Sequence, residues 1–405
     1  MAFLIFREAD SLQKGGTADR FFSSKQPRRE FMSKRYVVLG AGMQGVAAAY
    51  DFARFGEAEQ LVLADADPDA AAQGAARINT LLGTELATAE RVDVTRTQEV
   101  AALLQNATVC LSAVPYYFNF ELSQAAVQAG CHFCDLGGNT DVVFQQHQLD
   151  EAAKQAGITI APDCGLAPGM ANILAAHGIR MLQGPARVHI RVGGLPQHPK
   201  PPLGYALLFN IEGLTNEYFG KAHIIREGKR TVVDTFSELE EIAFPEPYGK
   251  CEAFITAGGT STCPWSFEGV VEEFEEKTIR YPGHYEKMKT VLDLGLLDLQ
   301  PVTVKGQQVV PRDVFHAVVE PLLRSDDPRD VVLLRVIVDR KNEHLEMELI
   351  DTYDPETGFT AMQRTTGFGA AMVGIMLAEG AFPPGTIRLE QQVDAEAYLA
   401  AMQAR

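Results

Sequence analysis

Apolar positions in the first part of the chain come in short blocks separated by longer amphipathic stretches. Such alternation predicts a parallel, doubly wound sheet. Strands are expected at 36–40, 60–65, 91–94, 108–113, 132–135 and 158–162, with helices at 44–55, 68–82, 97–104, 119–129 and 144–156. After Cys164 the pattern changes. Residues 169–181 read as a helix, 187–192 alternate like a half-buried strand, and 205–211 form another apolar strand candidate. A hairpin is expected over 221–236, turning at Glu227-Gly228-Lys229, and two antiparallel strands at 331–340 and 343–353. The fold class that follows is α/β: a Rossmann-type doubly wound sheet with a second, α+β substrate domain containing a large mixed sheet. The strongly apolar stretch 367–379 reads as a helix that returns to the first domain. The expected division is therefore 32–165 plus about 362–390 for the nucleotide domain and 166–361 for substrate and oligomer contacts. Residues 1–31 are polar without a sustained period, and Met32 stands just ahead of the first strand. They read as a disordered or misassigned extension.

The first strand and helix meet in a glycine turn. Tyr36-Val37-Val38-Leu39 is followed by Gly40-Ala41-Gly42-Met43-Gln44-Gly45, and Asp65 ends the next strand twenty positions later. In this pattern Gly40 makes the tight turn, Gly42 lets backbone approach a pyrophosphate, and Gly45 lets helix and strand pack closely. Met43 and Gln44 open the helix whose N-terminus receives phosphate. Asp65 would accept hydrogen bonds from a ribose 2′-hydroxyl and repel a 2′-phosphate, and no arginine follows it closely in sequence. NAD is the expected cofactor. Asp93 and Val94, and Ala113, Val114 and Pro115, end later strands on the same edge and complete the expected cofactor wall.

Composition narrows the function. The chain has 405 residues and a formal net charge of −17, with no basic stripe, which argues against nucleic acid as a partner. No apolar run approaches the ~20 residues of a membrane span. A cytoplasmic protein with no membrane association is expected. The six cysteines read as buried thiols rather than disulfides or a metal site; no metal is expected.

Candidate chemistry gathers where the strands end. Tyr116 and Tyr117 follow the fourth strand and should face the nicotinamide or wall the cleft. Asp163 and Cys164 follow the sixth. Asp163 could cap the next helix or hold a substrate ammonium, and Cys164 could line the pocket or pack.

The glycine turn, Val114-Pro115-Tyr116, 163–169 and Leu203-Gly204-Tyr205 together resemble the saccharopine dehydrogenase superfamily. Residues 193–196, 257–262 and 280–284 are most similar to its lysine 6-dehydrogenase branch. The resemblance implies a homo-oligomer that oxidatively deaminates the lysine side-chain amine with NAD, releasing ammonia and a semialdehyde that cyclises. In saccharopine-forming relatives an arginine after the Leu-Gly-Tyr signature grips a substrate carboxylate. Here Glu212 stands at that place by eye, which suits an ammonium. The amine must lose a proton before it is oxidised, and Tyr116, Asp163, Glu212 and His284 are the candidate bases. Arg191, Arg280 and Arg312 are candidates for a substrate carboxylate, and Thr260, Ser261, Tyr205 and Tyr117 for further contacts. The alternatives are reductive amination of the saccharopine or carboxynorspermidine dehydrogenase type, and a non-catalytic NAD-binding protein.

Overall fold

The computed structural model describes residues 3–8, 34–182 and 184–405, the first of these as backbone only. Seven parallel strands form the nucleotide sheet. In spatial order they are Gly385–Thr386, Thr159–Ala161, His132–Asp135, Val109–Ser112, Arg35–Leu39, Gln60–Asp65 and Ala87–Arg91. The central strands are buried on both faces, as a parallel sheet covered by helices requires. The expected third strand lies earlier than the apolar residues suggested. It is Ala87–Arg91, an edge strand with only Ala87 buried, and Val92 and Val94 follow it in a loop. The expected helix 144–156 is two helices, Thr140–His147 and Asp150–Ala156. The first starts early because the Asn139 side chain accepts from the amides of Asp141 and Val142.

The second sheet has nine strands and is mixed. Its main path runs Phe3–Glu8, Glu343–Thr352, Asp330–Arg340, Arg187–Pro196, Glu273–Arg280, Lys250–Ile255 and Glu240–Ala243. The hairpin Lys221–Arg226 and Lys229–Asp234 joins it through Glu273–Arg280. Phe3–Glu8 pairs antiparallel with Glu343–Thr352, so this part of 1–31 is an edge strand rather than an unstructured extension. The rest of that expectation falls on residues outside those described. Residues 205–211, expected as a strand, are instead a loop that enters the helix Ile211–Tyr218, capped by the Asn210 side chain at the amide of Gly213.

The apolar helix Gly369–Ala378 lies against the nucleotide sheet. A Cβ at Gly374 would stand 2.6 Å from the Phe52 ring, so glycine is what allows this approach. A π-helical turn, Gln363–Phe368, precedes it, and Gln363 donates to the Met43 carbonyl at 2.8 Å. The return segment thus supports the first turn of the glycine-loop helix. Among the described residues no helix is long and apolar enough to cross a membrane. All six cysteines are buried and unpaired with one another.

Candidate active site

The glycine turn has the shape that a pyrophosphate needs. Gly40 has φ +99°, and a Cβ there would lie 2.8 Å from the Ala113 carbonyl oxygen. At Gly45 a Cβ would lie 1.8 Å from the Gly40 oxygen, whereas at Gly42 it would meet nothing within 4 Å. The cradle is therefore closed behind and open in front. Gly42 begins the helix Met43–Phe55 with no side-chain cap, leaving its first amides for a ligand. Asp65 accepts from the Ala41 amide at 2.7 Å and from the Asp67 amide at 2.9 Å, which fixes its carboxylate beside the turn. These residues fit a dinucleotide. Val114 lies against Gly40 of the same turn, but Asp93 caps its own turn at Thr95 and faces Arg96.

One expectation about this site needs correction. No arginine follows Asp65 closely in sequence, yet Arg91 pairs with it across the sheet. The exposed Arg91 reaches back to the Ala66 carbonyl at 3.4 Å. A cation therefore stands next to the position where a ribose 2′ substituent would lie.

Across the cleft, the helix Ile211–Tyr218 meets the nucleotide domain at Gly138. Asn216 donates to the Gly138 carbonyl at 3.1 Å. A Cβ at Gly138 would stand 3.6 Å from the Tyr116 ring. Tyr116 and Tyr117 form an edge-to-face pair with centroids 5.6 Å apart. Burial, then the charge of Glu212, raises the Tyr117 phenol. Glu212 is exposed in the first turn of the helix. Behind it, Thr215 bonds His316 at 2.9 Å. The guanidinium of Arg312 lies 4.5 Å over the Phe219 ring and donates through Nε to Leu297 at 2.9 Å. Its Nη2 is buried without a partner. Burial lowers its basicity, against the pull of Tyr116, Asp298, Asp313 and Glu212. Tyr116, Tyr117, Glu212 and Arg312 thus share one cleft.

Other expected site residues are engaged elsewhere. Arg191 lies on the sheet face opposite Ile190 and Val192, paired with Glu240 and Glu275, so it does not meet a substrate in the cleft. Arg280 is only 2 % exposed and donates to the Tyr218 hydroxyl at 2.6 Å and to the Ile279 carbonyl. It also lies over Tyr205, which is buried beneath it. His284 is sealed within this group, 3.0 Å from the Tyr218 hydroxyl and 3.1 Å from the Leu203 carbonyl. Burial, then Arg280, holds its pKa down to about 3, so it is neutral and weakly basic. Cys164 packs in the core and donates to the Ala161 carbonyl. The hydroxyls of 260–262 are also engaged: Thr260 with the His223 carbonyl, Ser261 with Asp163, and Thr262 with Glu390.

Asp163 sits at the seam between the domains. Its φ is +60°, its amide donates to Asp135 at 3.1 Å, and its Oδ2 accepts from Ser261 at 2.5 Å. Burial, then Asp135, pushes its carboxyl up to about 7, with Glu390 adding and Ser261 and Gly138 opposing. A carboxyl raised when folded stabilises the protein below its unfolded value near ~4, and that contribution is lost as pH rises through about 7. Asp163→Asn, fixed in the neutral form, will therefore gain in melting temperature over the parent between about pH 5 and pH 8. Melts across that range check this; a variant that falls below the parent at the alkaline end contradicts it.

The sequence reading did not single out Glu217 or Glu276. Glu217 is in the same helix as Glu212, and its carbonyl accepts from the Ala257 amide at 2.9 Å. Its carboxylate stands 3.7 Å from Arg280, with 30 % of the side chain exposed. Burial raises it to about 7 against the attraction of Arg280. Glu276, 2 % exposed, is bonded by Thr256 at 3.0 Å and is raised to about 8 by burial, then by Glu217.

A dinucleotide cradle facing a mixed-sheet domain across such a cleft is the construction of a two-domain pyridine-nucleotide oxidoreductase. Residues 36–161 match the saccharopine dehydrogenase NADP binding domain, and residues 165–405 match the saccharopine dehydrogenase C-terminal domain. The chain belongs to the saccharopine dehydrogenase family. The saccharopine dehydrogenase (NADP(+), L-glutamate-forming) of Pyricularia oryzae is 25% identical over 224 residues, covering 53% of this chain and 49% of that one. The mitochondrial alpha-aminoadipic semialdehyde synthase of Mus musculus is 21% identical over 371 residues, covering 70% of this chain and 38% of that one. The chain thus spans about half or less of the length of these curated relatives. The apo saccharopine dehydrogenase (L-Glu forming) of Saccharomyces cerevisiae has the same fold, with a TM-score of 0.70 at 18% identity over 92% of this chain and 97% of that one.

Proposed function

We propose that this chain oxidatively deaminates the side-chain amine of free lysine, with NAD as acceptor and with ammonia and a semialdehyde as products. One observation carries the reading: the cleft offers one spare cation among several acids. Arg191 and Arg280 are engaged by protein groups, and among the described residues of the cleft only Arg312 keeps a guanidinium nitrogen without a partner. Glu212 and Glu217 are open to the same space. One carboxylate and a side-chain ammonium suit this arrangement. Saccharopine carries three carboxylates and would leave two of them facing acids, an arrangement that costs affinity.

The glycine turn and Asp65 would hold the cofactor, and when bound it supplies a hydride acceptor. Tyr116 and Tyr117 wall the substrate side, and water must still reach the oxidised substrate to release ammonia. Arg312 orients the α-carboxylate, which places the far amine towards Gly138. Asp65 and Asp67 favour NAD, while Arg91 is the group that would receive a 2′-phosphate.

The test is an amino-acid panel with NAD and with NADP at alkaline pH, read as nicotinamide absorbance. Lysine should be turned over with ammonia released and no oxo acid needed, faster with NAD. Turnover of saccharopine but not lysine overturns the substrate. Turnover of lysine with NADP alone overturns the cofactor choice.

A further inference from the structure

Deprotonation of the substrate amine needs a base that the cleft can reach, and the four residues expected from sequence do not supply one securely. Asp163 is 3 % exposed and bonded to Ser261. His284 is sealed beneath Tyr205 and Tyr218. Tyr116 stands on the nucleotide side, and Glu212 is open to water. We propose that Glu217 is the proton acceptor for the substrate ammonium, resting on the amine-oxidising function proposed above.

The geometry is the first support. Asn216 ties this stretch of helix to Gly138, and the Glu217 carbonyl accepts from the Ala257 amide, next to Gly258, whose Cβ would lie 3.6 Å from the Gly138 oxygen. The residue therefore stands next to a meeting point of the two domains, near the strand ends where a nicotinamide lies in this fold. Helical spacing of 100° per residue puts Glu212, Asn216 and Glu217 around one exposed arc. Arg312 flanks that arc through Phe219 on the same chain segment, its Nη2 buried and unpartnered. A lysine whose carboxylate meets Arg312 would run across this arc with its amine towards Glu217.

The electrostatics agree. Arg280 and Glu276, from the strand beneath, face Glu217, as do Tyr205 from the preceding loop and Tyr218 beside it. Burial raises the affinity of Glu217 for a proton and Arg280 limits the rise, while Glu276, held by Thr256 and Thr278, is itself raised by burial and then by Glu217. The outcome is a carboxyl near 7 rather than near ~4.3. Against an amine at ~10.4, that difference makes the neutral amine roughly 500-fold more accessible than an ordinary glutamate would. In the step itself, one N–H bond of the ammonium breaks and one O–H bond forms on Glu217. The nitrogen keeps the electron pair that supports loss of the hydride, and the proton later leaves through the cleft to water.

Glu217→Gln tests this, because it removes the acceptor and keeps the shape. The variant should use only lysine that is already neutral in solution. The acid limb of kcat/KM should then move from near 7 in the parent up towards the amine's own ~10, with a loss of roughly 100- to 10,000-fold at neutral pH that shrinks as pH rises. NADH affinity, measured by titration, should not change. An unshifted limb overturns the proposal, and so does an equal loss at every pH, which is what a structural role gives. If the parent does not oxidise lysine at all, it is the functional reading that fails. If the parent does so and the variant keeps its profile, only the role of Glu217 fails.

Discussion

Gly45→Ala will lose pyridine-nucleotide binding. The added Cβ would stand 1.8 Å from the Gly40 oxygen and 3.3 Å from the Ala113 side chain, so the turn must open. Opening it moves the amides that face the pyrophosphate. Charge-assisted hydrogen bonds of this kind contribute about 1.5–3 kcal/mol each, and losing one weakens binding by roughly 10- to 150-fold. The clash could also destabilise the domain, so Gly42→Ala separates the two effects. Nothing lies within 4 Å of a Cβ there, and the fold should be kept, but the methyl group enters the space left for the ligand. Titration with NADH beside a thermal melt distinguishes them: Gly42→Ala should weaken binding at an unchanged melting temperature. Parental affinity in both variants would mean that the cradle holds something else.

Arg312→Met will remove the preference for a substrate carboxylate. Methionine keeps an apolar stem over Phe219 and deletes the guanidinium. A charged hydrogen bond to a carboxylate at a nine-tenths buried site contributes about 2–3 kcal/mol, so kcat/KM for lysine should fall roughly 30- to 150-fold. The control is the five-carbon diamine, which is lysine without its carboxylate. The parent should prefer lysine strongly, and the variant should treat the two alike, with cofactor affinity unchanged. A variant that still prefers lysine would return the carboxylate to another residue, and the count of spare cations would no longer support a monocarboxylate substrate.

How much of this was legible in the sequence depended on distance along the chain. The glycine turn was readable because strand, turn and helix are consecutive, and each glycine has a local steric reason. Both sheets were readable because burial imposes its period on neighbouring residues. Arg91 was hidden, since its nearness to Asp65 exists only across the sheet. Arg191 misled because a strand turns alternate residues to opposite faces, and its neighbours Ile190 and Val192 took the inner one. Glu217 was hidden by the apolar run 205–211, which imitates a strand while serving as the approach to a helix. Asn210 was the available signal: a capping residue before 211–218 would have placed Glu212 and Glu217 on one helix. Burial also decided which reactive-looking side chains stayed inert. Ser261, Thr262 and His284 have the chemistry of a site, but each is bonded to another protein group, and Asp163 bonds Ser261 through Oδ2 while its Oδ1 is buried without a partner.

The loop 257–263 is fastened to the nucleotide side at two points, Ser261 to Asp163 and Thr262 to Glu390. A hinge that swung the whole second domain outward would have to break both of these buried carboxylate contacts. The helix Ile211–Tyr218 is tied to the nucleotide domain by the neutral bond from Asn216 to the Gly138 carbonyl, with no buried carboxylate in it. Opening for substrate would therefore cost less there, and the gate would then carry Glu212 and Glu217, the groups proposed to meet the substrate amine.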